Sequence, residues 1–207
     1  MHVTTLITGA YEENCYLLWN EDKRALLIDP GDDAHAIVRM IQDHHLQIEA
    51  YLCTHAHADH IGALEEVHTL YPAPIAMHTL DWHWAFNEIN QSPPYYTIPK
   101  EPTSYTRMNL DEKEWWTFGS FDLRVIHTPG HTPGSCCFLF NHEELLVAGD
   151  TLFKGSCGRT DLPGGDAVAL KQSLQQLKHL SLDYRILSGH GDETTLHAEL
   201  SSNFYLQ

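Results

Sequence analysis

The chain has 207 residues, of which 43% are hydrophobic and 19% charged; that is enough for one domain with a buried core, and it excludes a disordered or fibrous polymer. Twelve Lys and Arg stand against 28 Asp and Glu, a formal net charge of −16 that repels phosphate backbones and anionic lipid, so neither nucleic acid nor membrane is an expected partner. No apolar run approaches the roughly 18 residues of a membrane span, the N-terminus lacks the pattern of a secretion signal, and the five cysteines show no C-x-x-C spacing, so a cytoplasmic protein with free thiols is expected.

Residues 14–20 and 24–29 read as two strands of a hairpin turning at Asn20 to Asp22. Pro30 and Gly31 stop the second strand, and Asp32 or Asp33 is placed to cap a helix running to about His45 with Ile37, Val38 and Ile41 on its buried face. Ala50 to Thr54 reads as a buried strand. The spacing of Ile61, Leu64 and Val67 then predicts a helix starting at Asp59. A short strand at Pro74 to Met77 and a helix carrying Trp82, Phe86 and Ile89 follow, before a proline-rich stretch over 91–108 that reads as an ordered surface loop. Strand patterns resume at 114–118, 121–127, 136–140 and 145–148. A helix over 166–180 buries Leu170, Leu174 and Leu177, and 184–187 makes a last strand. Hairpins interrupted by strand–helix crossovers suggest two packed sheets covered by helices. Trp82, Trp84, Trp115 and Trp116 read as core or loop packing rather than pocket lining, and vicinal Cys136 and Cys137 as packing.

Sixteen histidines are an unusual number, and several are packed beside aspartates. His55, His57, Asp59 and His60 fall within six residues directly after a buried strand; His55 and His57 project to one side, with Asp59 and His60 rotated onward toward a second position. Such a group, desolvated and mutually repelling, is costly without a cation. His131 in the tight HTPGH loop, Asp150 at the end of LLVAGD and His190 between glycines in SGHGD each follow a strand, and they complete a constellation of metal-ligand types.

These motifs, in this order, resemble the metallo-β-lactamase fold superfamily over nearly the whole chain. The resemblance implies an α/β (α+β) fold, a four-layer αββα sandwich with the site along one edge of the two sheets. It also implies His55, His57 and His131 on a first metal, Asp59, His60 and His190 on a second, and Asp150 bridging both. NCYLL, IDPGDD and the segment 152–166, LFKGSCGRTDLPGGD, are similar to the small bacterial glyoxalase II-like hydrolases of the hydroxyacylglutathione hydrolase type. That similarity implies a thioesterase with two divalent metal ions, zinc first and iron or manganese as other options, acting on a small-molecule thioester such as S-lactoylglutathione. Asp59 would orient the attacking hydroxide and take its proton, and Arg159 would meet a carboxylate of the substrate, with pairing to Asp161 as the competing reading.

The sequence departs from glyoxalase II proper at Asp161 and Asp192, where that family has tyrosines, and a single domain over 1–207 is expected, without a C-terminal helical domain. GRTD also occurs in persulfide dioxygenases, which use one iron. A lactonase or phosphodiesterase on the same scaffold, or a metal-binding domain without activity, completes the alternatives. A monomer or small homo-oligomer is expected.

Overall fold

The computed structural model describes residues 1–207. The first half builds one six-stranded sheet in simple chain order: β1 (His2–Thr8), β2 (Glu13–Trp19), β3 (Arg24–Ile28), β4 (Gln47–Leu52), β5 (Ile75–Met77) and β6 (Arg107–Asn109). The first three are antiparallel neighbours and the rest add in parallel through helical crossovers, as parallel pairing requires. The crossovers are α1 (Ala34–Asp43), the short pair α2 (Ala58–Ile61) and α3 (Leu64–Leu70), and α4 (Thr79–Trp82). The second half makes another six-stranded sheet from β7 (Trp115–Phe118), β8 (Phe121–His127), β9 (Cys136–Phe140), β10 (Leu145–Gly149), β13 (Arg185–Ser188) and β14 (Thr194–Thr195). Between β10 and β13 the chain forms a two-stranded ribbon, β11 (Leu152–Phe153) and β12 (Ser156–Cys157), and then α5 (Ala167–Lys178). It closes with α6 (Leu196–Ser202) and one 3-10 turn.

Alternation along the strands sorts side chains into three apolar layers. In β2, Tyr16 and Leu18 face the second sheet, meeting Phe138, Phe140 and Val147, while Cys15, Leu17 and Trp19 face α1 and α3 through Ile37, Ile41, Leu64 and Val67. On the far side Cys137, Leu139, Leu146 and Ile186 pack under Leu170, Leu174 and Leu177 of α5. Three layers between helix, sheet, sheet and helix make the four-layer sandwich that the motifs imply. Both sheets are covered on both faces, which is why β2, β9 and β10 read as continuous apolar runs. No helix is long and apolar enough to cross a membrane.

Several elements differ from the sequence-based expectation. β1 adds an edge strand that its threonines disguised. The helix expected from Asp59 is two pieces, because Ala63 N–H turns back to the carbonyls of Pro30 and Gly31 instead of continuing the ladder. The helix expected around Trp82, Phe86 and Ile89 ends at Trp82; beyond it the Asn87 side chain bonds His83 O and Ile89 N–H, replacing helical partners, and Ile89 is exposed. The 91–108 stretch contributes β6 at its end. Asp33 precedes α1 without a side-chain cap, its carboxylate accepting from Gly9 N–H instead, whereas Asp166 caps α5 through Val168 and Ala169 N–H as its sequence position suggests.

Candidate metal centre

Both sheets present loops at one common edge, where Asn14 N–H to Gly189 O at 2.8 Å and Cys136 N–H to Thr54 O at 2.8 Å join the two sheets, and Gly189 N–H to Gly149 O at 2.8 Å ties the ends of β10 and β13 within the second. The loop after β4 carries His55 and His57 and enters α2 with Asp59 and His60; those after β8, β10 and β13 carry His131, Asp150 and His190. All seven residues singled out from the sequence meet at this edge. The donor atoms of His55, His57 and His131 lie within 4.8 Å of one another, as do those of Asp59, His60 and His190. Asp150 stands between the groups: Oδ2 is 3.4 Å from His131 Nε2 and 3.6 Å from His190 Nε2, and Oδ1 is 3.5 Å from His60 Nε2. Asp59 Oδ2 is 3.4 Å from His190 Nε2.

The other ring nitrogens explain why these imidazoles are aimed inward. Thr54 Oγ1 donates to Asp29 Oδ2 and therefore accepts from His55 Nδ1 at 3.1 Å. His60 Nδ1 donates to Asp29 Oδ2 at 3.1 Å, His131 Nδ1 to Arg159 O at 2.8 Å, and His190 Nδ1 to Tyr11 O at 3.0 Å. In each case the proton is fixed on Nδ1 and the Nε2 lone pair is left for the cluster, the tautomer a metal needs. His57 turns its Nδ1 to within 2.9 Å of His131 Nε2.

The donor set fits a cation. His55 Nε2, His60 Nε2 and Asp150 Oδ1 are buried without a hydrogen-bond partner, an arrangement costing about 1–3 kcal/mol per group unless something positive or polar fills the gap. A side chain at Gly189 would collide with Asp150 Oδ1 and His60, so glycine keeps this space open. Burial, reinforced by neighbouring imidazoles, pushes His55 well below the usual histidine range, and burial with His131 holds His57 at about 3, so both are neutral. Burial opposes charge at His60 and His190 as well, but Asp150 and Asp59 outweigh it and raise both. Against its own burial, Asp59 is held below the carboxylate range by His60 and by its hydrogen bond to His190. The second group thus favours positive charge through its carboxylates, whereas the histidines of the first are kept neutral, as ligands.

A cleft of about 670 Å³ opens over the cluster, lined by Tyr11, Trp84, Ile89, Phe153, Arg159 and Leu162 among others. Of the four tryptophans considered, only Trp84 reaches it, edge-on to His57; Trp82 and Trp116 are buried in apolar layers and Trp115 is exposed. Arg159 is at the rim in a bidentate pair with Asp161, at 2.6 and 2.7 Å, and its main-chain carbonyl, not its guanidinium, touches the cluster through His131. Lys154 pairs with Asp192 at 2.9 Å. The thiols are free, and all but Cys157, which borders the cleft, are buried.

Sequence reasoning passed over Asp29, whose carboxylate orients both His55 (through Thr54) and His60, and the fully buried Glu13, 3.8 Å from His60 Nδ1. An aspartate before Pro30 at a strand end reads as an ordinary stop, and only the fold brings it under the cluster.

Residues 8–190 match the family model of the metallo-beta-lactamase superfamily. The chain is 31% identical to hydroxyacylglutathione hydrolase GloC of Haemophilus influenzae over 217 residues, covering 100% of this chain and 98% of the relative. To the probable metallo-hydrolase YqgX of Bacillus subtilis it is 37% identical over 201 residues, covering 96% and 94%. Among solved structures, the BLEG-1 B3 metallo-beta-lactamase superposes with a TM-score of 0.90 at 35% identity, covering 100% of both chains. TTHA1623 in a di-iron-bound form gives 0.85 at 34%, covering 99% of this chain and 100% of that one. Sequence, fold and the convergence of histidine and aspartate donors agree: the chain is a metallo-hydrolase belonging to the metallo-beta-lactamase superfamily.

Proposed function

We propose that the protein is a dinuclear metallohydrolase that cleaves small thioesters. The observation that carries this is the division of seven donors into two groups that share Asp150. His55 Nε2, His57 Nδ1 and His131 Nε2 would hold one ion, Asp59, His60 Nε2 and His190 Nε2 the other, and Asp150 would serve both. Divalent ions at these positions supply Lewis acidity to a carbonyl oxygen and a nucleophilic water near neutral pH without a serine or cysteine nucleophile. Zinc suits the histidine and carboxylate donors, and so do iron and manganese; the di-iron form of TTHA1623 supports iron as the second choice.

Asp59, held toward the second group by His190, would orient the attacking water and take its proton. The cleft walls of Trp84, Ile89 and Phe153 exclude water around an acyl arm, while Arg159 at the rim would exchange Asp161 for a carboxylate of the substrate. The name of the GloC relative supports S-lactoylglutathione as the first substrate to test.

The deciding experiment is hydrolysis of S-lactoylglutathione by purified protein of measured metal content, before and after chelation. Thioester cleavage that chelation abolishes and zinc or iron restores is expected. Cleavage of a β-lactam but of no thioester would replace this reading by the activity named for the BLEG-1 neighbour, and uptake of oxygen with glutathione persulfide would replace it by an oxygenase.

A further inference from the structure

Asp81 is a fully buried carboxylate outside the seven proposed metal-binding residues, yet it gathers hydrogen bonds from three separate pieces of the centre. Oδ2 accepts from Ala56 N–H at 2.9 Å and from Thr132 Oγ1 at 2.8 Å; Oδ1 accepts from Gly134 N–H at 2.7 Å and from Trp84 Nε1 at 3.3 Å. Ala56 lies between His55 and His57, and Thr132 follows His131. The same segment grips Ala56 from its other side, because Asn90 Nδ2 donates to Ala56 O at 2.5 Å and to Ala85 O at 2.6 Å. The fit around the carboxylate is close enough that a Cβ at Gly134 would sit 2.6 Å from Asp81 Oδ1. No bond runs from Asp81 to the segments bearing His190 or Asp150.

We propose that Asp81 is the positioning residue of the first metal group: it locks the His55–His57 loop from one sheet to the His131 loop from the other, and aims the Trp84 wall, without touching the second group. The inference rests on the reading of two metal positions and is independent of the substrate. A backbone N–H pair held by one charged acceptor is a stiff link, since each charge-assisted bond is stronger than a neutral one and a lost partner leaves buried donors unsatisfied. Outer partners of metal-binding imidazoles set metal affinity by roughly 10- to 100-fold. Asp81 differs from the usual case in that it acts on the two loops that carry the three imidazoles of the first group.

The test is zinc titration of metal-free protein against a chromophoric chelator, for the natural chain, Asp81→Asn and Thr132→Val. Asn keeps the size but turns an amide donor toward donors. We expect Asp81→Asn to weaken one of two zinc equivalents by roughly 10- to 100-fold and leave the other unchanged, and Thr132→Val, which removes one of the four bonds, to weaken the same equivalent by less. Natural affinity for both equivalents in folded Asp81→Asn, or equal weakening of both, overturns the proposal, because a residue that merely supports the fold has no reason to discriminate. Should Asp81→Asn fail to fold, Thr132→Val decides alone: selective weakening supports the lock, and unchanged or uniform binding overturns it. A natural chain that takes up only one equivalent sinks the two-ion reading, and Asp81 is then judged on that equivalent by the same tenfold criterion.

Discussion

His55, His60, His131 and His190 each commit Nδ1 to an oxygen of the protein, so their Nε2 atoms are presented with no rotation left to pay for on binding. Because Asp29 serves two of them, Asp29→Asn is expected to weaken zinc retention by roughly 10- to 100-fold with the fold intact, as read by competition with a chelator. Asp59→Ala should lower kcat by about 10²- to 10⁴-fold, measured on protein whose two metal equivalents have been verified by elemental analysis. Undiminished turnover there would remove Asp59 from proton transfer. The seven candidate donors, which the fold brings together, stand out in the sequence because each sits in a short motif of glycine, proline or alanine at a strand end. Asp29, Tyr11 O and Arg159 O do not, since a carboxylate in a turn and a main-chain carbonyl carry no mark of what the fold will place beside them. Sequence alone leaves the Arg159 side chain a choice between a substrate carboxylate and Asp161, and it stands in the ion pair.

Elements with a strong period and their own caps matched expectation: α5 with the Asp166 cap, and β2, β3, β8 and β9 as apolar runs. Those held mainly by tertiary bonds did not, including β1, β6 and the break between α2 and α3. Leu174, 2% exposed under the second sheet, is expected to cost about 2–5 kcal/mol when changed to Ala, measured by urea unfolding. At the start of α4, His78 accepts from Leu80 N–H and stacks on His127 at 4.1 Å. Burial and then His127, only partly offset by Asp111, lower its pKa to about 4 from an ordinary 6.5. The unfolded chain therefore binds the extra proton first, so the stability due to neutral His78 is complete above pH 6.5 and is lost as the pH falls toward 4. His78→Asn should flatten that acid limb by about 1–2 kcal/mol in denaturant unfolding followed across this range.

At the scale of the molecule, the alternation of apolar faces gives three apolar layers and hence the order helix, sheet, sheet, helix, which composition alone does not choose. The motifs added where the two sheets must meet. Since four of the proposed donors come from the first half and three from the second, zinc should stabilise the chain as a whole: at a hundredfold excess over its dissociation constant, by about 2.7 kcal/mol per site. Thermal unfolding with zinc and after chelation checks this, and coincident midpoints would count against it. The spacing of those donors from 55 to 190 has a consequence for biogenesis. While a ribosome is still extending the polypeptide, His55, His57 and His131 are made well before His190, so the second group is the last to be completed. Occupation of the second position would thus come late in synthesis, after the loop behind β13 has left the ribosome.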